Sequence, residues 1–120
     1  MSRLQRLVMS DMDKEINPRF WGMLSLSMKA GALSVGEGRA TEKIRAGEAN
    51  LIILSEDASD NTVKRFSNMG EYRNVPLIRV ADRNSLGSAI GRKFAVVIAV
   101  HNEGFSKNLL GLFENQSGKE

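Results

Sequence analysis

Leu51-Ile52-Ile53-Leu54-Ser55-Glu56-Asp57-Ala58-Ser59 is the stretch whose reading decides the fold. Four branched apolar residues stand in a row, with no polar residue between them. Such a run reads as a strand covered on both faces, the kind found inside a parallel or mixed sheet. The polar turn Ser55-Glu56-Asp57 follows at once, and Ser59 or Asp60 can cap a new helix, with Asp57 expected to serve that same helix start. Open α/β sheets gather ligands at the carboxyl ends of their central strands. The working surface is therefore expected near residues 56 to 59.

Upstream of the strand, Asn17-Pro18 reads as a helix start: a capping side chain, then Pro in the first turn. Phe20, Trp21, Leu24 and Met28 follow at helical spacing, and Gly31 supplies the stop. Trp21 belongs to a core stripe more readily than to a base-stacking platform. Leu33-Ser34-Val35 is a short strand. Gly36-Glu37-Gly38-Arg39-Ala40 turns into a helix expected from about Gly38 to Ala46. Downstream, a helix is expected from about Ser59 to Met69, burying Val63, Phe66 and Met69 and stopping at Gly70. Leu77 to Val80 is a strand, Asp82 to Ser85 caps a short helix, and Phe94 to Val100 reads as a second inner strand. His101-Asn102-Glu103-Gly104 leads into a last helix carrying Phe105, Leu109, Leu112 and Phe113. Strand and helix signals alternate, which predicts an α/β protein: a three-layer α-β-α sandwich around a four-stranded mixed sheet.

With 120 residues and 42% apolar composition, one domain with a real core is expected over residues 16–113. Residues 1–15 mix charges of both signs and read as a flexible N-terminal arm; residues 114–120 read as a polar tail. No cysteine is present, which excludes a disulfide framework and a thiolate metal site. A net charge of +3 mildly favours a polyanionic partner. No apolar run approaches the ~20 residues of a membrane span, and Asp11 interrupts the N-terminal run too early for a signal peptide. The expected location is cytoplasmic, with no membrane partner.

Catalytic constellations are not visible. His101 is the single histidine, and no Ser or Asp pair gives it a triad role. Glu56 and Asp57 are adjacent, so in an extended turn their carboxylates diverge instead of sharing a metal or a proton. The glycine turn at 36–38 is neither a dinucleotide fingerprint, because Thr41 replaces the third glycine, nor a Walker loop. No enzyme, no metal and no cofactor are expected. What remains is three loops: Glu37 to Arg39, Glu56 to Ala58, and Gly91-Arg92-Lys93. In a sandwich of this kind they can meet at one end of the sheet. Arg39, Lys43, Arg92 and Lys93 would then surround helix N-termini, an arrangement suited to a nucleic-acid backbone. The lack of interleaved aromatic residues favours structured RNA read by shape over a single-strand stacking surface.

Several segments carry a family resemblance in order along the chain. They are Gly36-Glu37, Ile44 to Ala49, Leu51 to Ser59, Asn61-Thr62, Val75-Pro76, Leu86 to Gly91 and Val96 to Val100. Together, over about residues 17 to 113, they resemble the ribosomal protein L7Ae superfamily of kink-turn RNA-binding proteins, and most its small bacterial YlxQ-like members. The resemblance implies a sandwich with no cofactor and no catalysis. Its implied partners are structured RNA, ribosomal or kink-turn-like, and the ribosome, with no DNA. It also implies RNA contacts at Gly36, Glu37, Gly38, Arg39, Glu42, Glu56, Asp57, Ala58, Gly91, Arg92 and Lys93. Strong kink-turn binders of the family carry Asn-Glu-x-x-Lys at the second helix; the matching positions here are Gly38, Arg39 and Glu42. Two readings stay open: an RNA-binding protein, or an interaction module that keeps the fold without tight kink-turn binding. A third, weaker one is a small-molecule-binding or catalytic α/β domain.

Overall fold

The computed structural model describes residues 16–115. The arm expected over residues 1–15, and residues 116–120 of the expected tail, lie outside the described residues. The elements run α1 (Pro18–Lys29), β1 (Leu33–Val35), α2 (Glu37–Arg45), β2 (Leu51–Leu54), α3 (Asp60–Arg73), β3 (Leu77–Arg79), α4 (Arg83–Ala89), β4 (Val97–Val100) and α5 (Glu103–Glu114). The four strands form one mixed sheet in the order β1-β4-β2-β3. β4 is antiparallel to both β1 and β2, and β3 is parallel to β2.

All four residues of β2 are buried, as are all four of β4. Side chains alternate across a strand, and here each set meets its own helices. Leu51 and Ile53 pack with Phe20 and Leu24 of α1, Leu86 of α4, and Leu109 and Phe113 of α5. Ile52 and Leu54 pack with Ala40 and Ile44 of α2 and Phe66 of α3. Two helical layers on one sheet make the α-β-α sandwich. Asn17 caps α1 by accepting from the Arg19 N–H at 3.0 Å, and its amide donates to the Asn115 carbonyl at 3.3 Å, tying α1 to the end of α5. Trp21 is half-buried against the core, edge-on to Phe20 with ring centroids 5.6 Å apart.

Four local expectations are corrected. α3 does not stop at Gly70 but runs to Arg73, and Asn74 ends it in the left-handed region at φ 59°. Gly70 serves close packing instead: a Cβ there would stand 2.9 Å from the Val75 carbonyl oxygen. β4 starts at Val97, not Phe94, and Phe94 is 58% exposed. Residues before Val97 are held by α4: the Ala95 N–H donates to the Arg83 carbonyl at 2.9 Å, and Gly87 lies so close to Phe94 that a Cβ would come within 2.4 Å of its Cα. Ser59, not Asp57, caps α3, accepting from the Thr62 N–H at 3.2 Å. α2 begins one residue earlier than expected, at Glu37.

Candidate nucleic-acid interface

β1, β2 and β3 run one way and β4 the other. The segments after β1 and after β2 therefore meet the segment before β4 at one end of the sheet. Two hydrogen bonds clamp them: the Gly36 N–H donates to the Val97 carbonyl at 2.8 Å, and the Ser55 N–H donates to the Val96 carbonyl at 2.9 Å. Residues 36, 55 and 96 are thus gathered by β4, whose antiparallel course lies between the other two strands.

Gly36 is the N-cap of α2 at φ 105°, a conformation that side chains strain to adopt. No side chain caps α2. Its first-turn N–H groups and positive dipole end face solvent beside a recess of about 450 Å³. Val35, Gly36 and Glu37 form one wall, and Arg92, Lys93 and Phe94 another. Glu37 is held from the side: its carboxylate accepts from the Thr62 hydroxyl at 2.9 Å and pairs with Arg65. Gly38, Arg39 and Glu42 are exposed and fall within about 100° on one face of α2.

The turn after β2 is pinned to the connection between β3 and α4. The Glu56 N–H donates to the Ala81 carbonyl at 2.6 Å, and the Glu56 carbonyl accepts from the Arg79 guanidinium at 2.5 Å. Ala58 is buried beneath the turn. Asp57 accepts from the Arg83 N–H at 3.2 Å and pairs with its guanidinium at 3.3 Å, so it serves the first residue of α4, across space from the helix that follows it in sequence. The buried Ser55 hydroxyl stands beside Asp57, short of full hydrogen-bond geometry. It and then Arg83 hold the Asp57 carboxyl below its ordinary value.

Of the twelve residues expected at the site, Gly36, Glu37, Gly38, Arg39, Glu56, Asp57, Ala58, Gly91, Arg92 and Lys93 lie on these segments, and Glu42 is one turn along α2. Lys43 is not brought in. It lies in the last turn of α2 and pairs with Glu48 at 2.9 Å, which holds that carboxyl below its ordinary value. Sequence reasoning missed Phe94, Thr62 and Arg65. Phe94 was hidden in an apolar run, though the Arg92-Lys93 pair before it signalled a loop. Nothing local marks Thr62 and Arg65 as partners of a glutamate 25 and 28 residues away.

Among the described residues, no group of three His, Cys, Asp or Glu side chains could hold a metal ion, and no helix is long and apolar enough to cross a membrane. The site is an open, positively edged cluster of loops and one helix N-terminus. It has the form of a surface for a large anionic partner, carried on a three-layer sandwich. Comparison with known proteins gives the family. The model of the ribosomal protein L7Ae/L30e/S12e/Gadd45 family matches residues 20–110, and the chain belongs to that family. It is 37% identical over 92 residues to the RNA-binding protein YlxQ of Bacillus subtilis (strain 168), covering 77% of this chain and 92% of that one. A protein of unknown function from Bacillus halodurans C superposes with a TM-score of 0.78 at 33% identity, over 80% of this chain and 97% of its own. The Giardia lamblia 15.5kD RNA binding protein shares the fold, with a TM-score of 0.72 at 16% identity over 92% of this chain and 94% of its own.

Proposed function

We propose that this chain is a non-enzymatic, cytoplasmic binder of structured RNA, ribosomal or kink-turn-like, and that it docks RNA at the end of the sheet without a cofactor. The observation that carries this reading is the convergence at residues 36–39, 55–58 and 91–94. It puts the uncapped first turn of α2, Arg92 and Lys93 around one recess, with Arg39 exposed two residues further along α2 than Glu37. Exposed cations and backbone N–H groups are the donors that hold phosphates, and a rigid, shaped end of a sheet suits an RNA read by its fold. The name of the Bacillus subtilis relative, an RNA-binding protein, supports the same reading. Arg92→Ala with Lys93→Ala tests it. The pair should weaken binding to a structured RNA and reduce the salt slope by about one to two units. Unchanged affinity and slope in an anisotropy titration would move the site elsewhere.

One observation favours a second reading, an interaction module without tight kink-turn recognition. Glu42 places a carboxylate on the exposed α2 face it shares with Gly38 and Arg39. The ratio of kink-turn to plain-duplex affinity separates the two.

A further inference from the structure

We infer that the RNA surface continues from the sheet end along the outer face of α3, where a duplex flanking the docked element is held through its backbone. This rests on the RNA reading above. With about 100° of rotation per residue, Asn61, Lys64, Arg65, Asn68 and Tyr72 fall into one stripe about 100° wide. All five are exposed, and Tyr72 is 83% exposed. Thr62, Phe66 and Gly70, on the opposite side of α3, are buried. No acidic side chain falls inside the stripe; Asp60 and Glu71 lie beyond its edge. Among the described residues, Asn61, Lys64 and Asn68 make no side-chain hydrogen bond or ion pair.

The stripe joins the sheet end without a break. A recess of about 530 Å³ lies between Glu37 and Asn61, Thr62, Lys64, Arg65 and Asn68. Glu37 is a wall of both this recess and the one beside Arg92, Lys93 and Phe94. A partner seated in the first recess is therefore led onto α3. From Asn61 to Tyr72 the stripe extends about 17 Å, near half a duplex turn on the B-form spacing.

The donors suit a duplex backbone. Two amides, a phenol and a lysine are groups that contact phosphate and sugar, and an A-form helix displays its phosphates and 2′-hydroxyls across a shallow groove. A protein partner fits less well, because its hot spots need a desolvated apolar centre and the stripe holds one isolated ring. Among the described residues, Glu37 pairs with Arg65, which leaves Lys64 as the stripe's unpaired cation.

The test uses the full chain and a kink-turn RNA whose flanking helix is either about three or about twelve base pairs long, lengths below and above the reach of the stripe. Wild type should bind the long form about fivefold or more tighter, with a salt slope about one unit steeper. Lys64→Ala, Asn68→Ala and Tyr72→Ala together should remove that gain and leave the short form unchanged. Lys64→Glu alone, a second variant at an exposed position, should remove it too. Equal wild-type affinity for both forms, or a gain that survives these changes, overturns the α3 surface. The Proposed function still stands in that case if Arg92→Ala with Lys93→Ala weakens both forms. Failure of wild type to bind either RNA overturns both.

Discussion

At the scale of single residues, the loops are held by groups that look interchangeable in the sequence. Glu56 and Asp57 are adjacent acids with different tasks. Glu56 works through its backbone, which Ala81 and Arg79 grip, whereas Asp57 works through its carboxylate, which accepts from Arg83. The Asp57 carboxyl is held below its ordinary value by the Ser55 hydroxyl and then by Arg83. A depressed folded value means that ionised Asp57 favours the folded state. That contribution is present above the unfolded value, ~3.9, and is lost as pH falls through the folded one. Asp57→Asn should flatten the acid limb of the thermal midpoint below pH ~4. The effect should be small, because the pair is nearly half exposed and screened. An acid limb identical to that of wild type would mean that the contact is not made in solution. Ile53→Asp lies at the other extreme. Ile53 is fully buried in the central strand, and an unpaired charge there should cost several kcal/mol, enough to abolish cooperative unfolding.

At the scale of elements, what could be read in advance follows from how local each signal is. Leu51–Leu54 declared itself because four apolar residues in succession need cover on both faces, and the helices supply it. The caps at Asn17 and Ser59 were legible for the same reason: the side chain and the N–H it accepts from are within three residues. Misreadings arose where a distant partner decides. Gly70 is a stop signal locally, but Val75 and Ile52 approach it and the helix runs on. Phe94 to Val96 have strand composition, but Arg83 and Gly87 hold that segment against α4. The candidate loops were named from the sequence; the Glu37–Thr62–Arg65 tie, spanning two helices, was not. Gly87 gives a prediction at this scale. Gly87→Ala drives a methyl group to within 2.4 Å of the Phe94 backbone, so the segment carrying Arg92 and Lys93 must shift. Overpacking of this kind costs about 1–3 kcal/mol. The variant should lose thermal stability and RNA affinity together, while Gly111→Ala, with open space around its Cβ, should lose neither. Wild-type affinity in a destabilised Gly87→Ala protein would detach the 91–94 segment from the site.

At the scale of the whole molecule, the strand order β1-β4-β2-β3 makes one end of the sheet different from the other. Three segments and an uncapped helix N-terminus converge there, while Lys43 and Glu48 satisfy each other at the far end of α2. On the proposed RNA reading this end of the sheet docks the partner, and the residues on α2 decide what it discriminates. Gly38 offers no side chain, Arg39 offers charge without an acceptor, and Glu42 opposes a phosphate. If the sandwich docks RNA as strong kink-turn binders of its family do, Gly38→Asn and Arg39→Glu restore groups able to hydrogen-bond base edges. Glu42→Lys then replaces a repelled carboxylate with a cation. A good bidentate base contact contributes ~1–3 kcal/mol on the scale known for DNA. The triple change should therefore raise the affinity ratio of kink-turn to plain duplex about tenfold or more, even though it removes an arginine. A site that works by charge alone behaves differently. Glu42→Lys by itself would give most of the gain, and would give it equally for any hairpin, because phosphate contacts carry no sequence information. The decisive measurement is that ratio for wild type, for Glu42→Lys and for the triple variant at one salt concentration. A triple variant whose ratio stays at the wild-type value means that α2 does not face the bases, and that the recess beside Arg92 and Lys93 holds RNA by its backbone only.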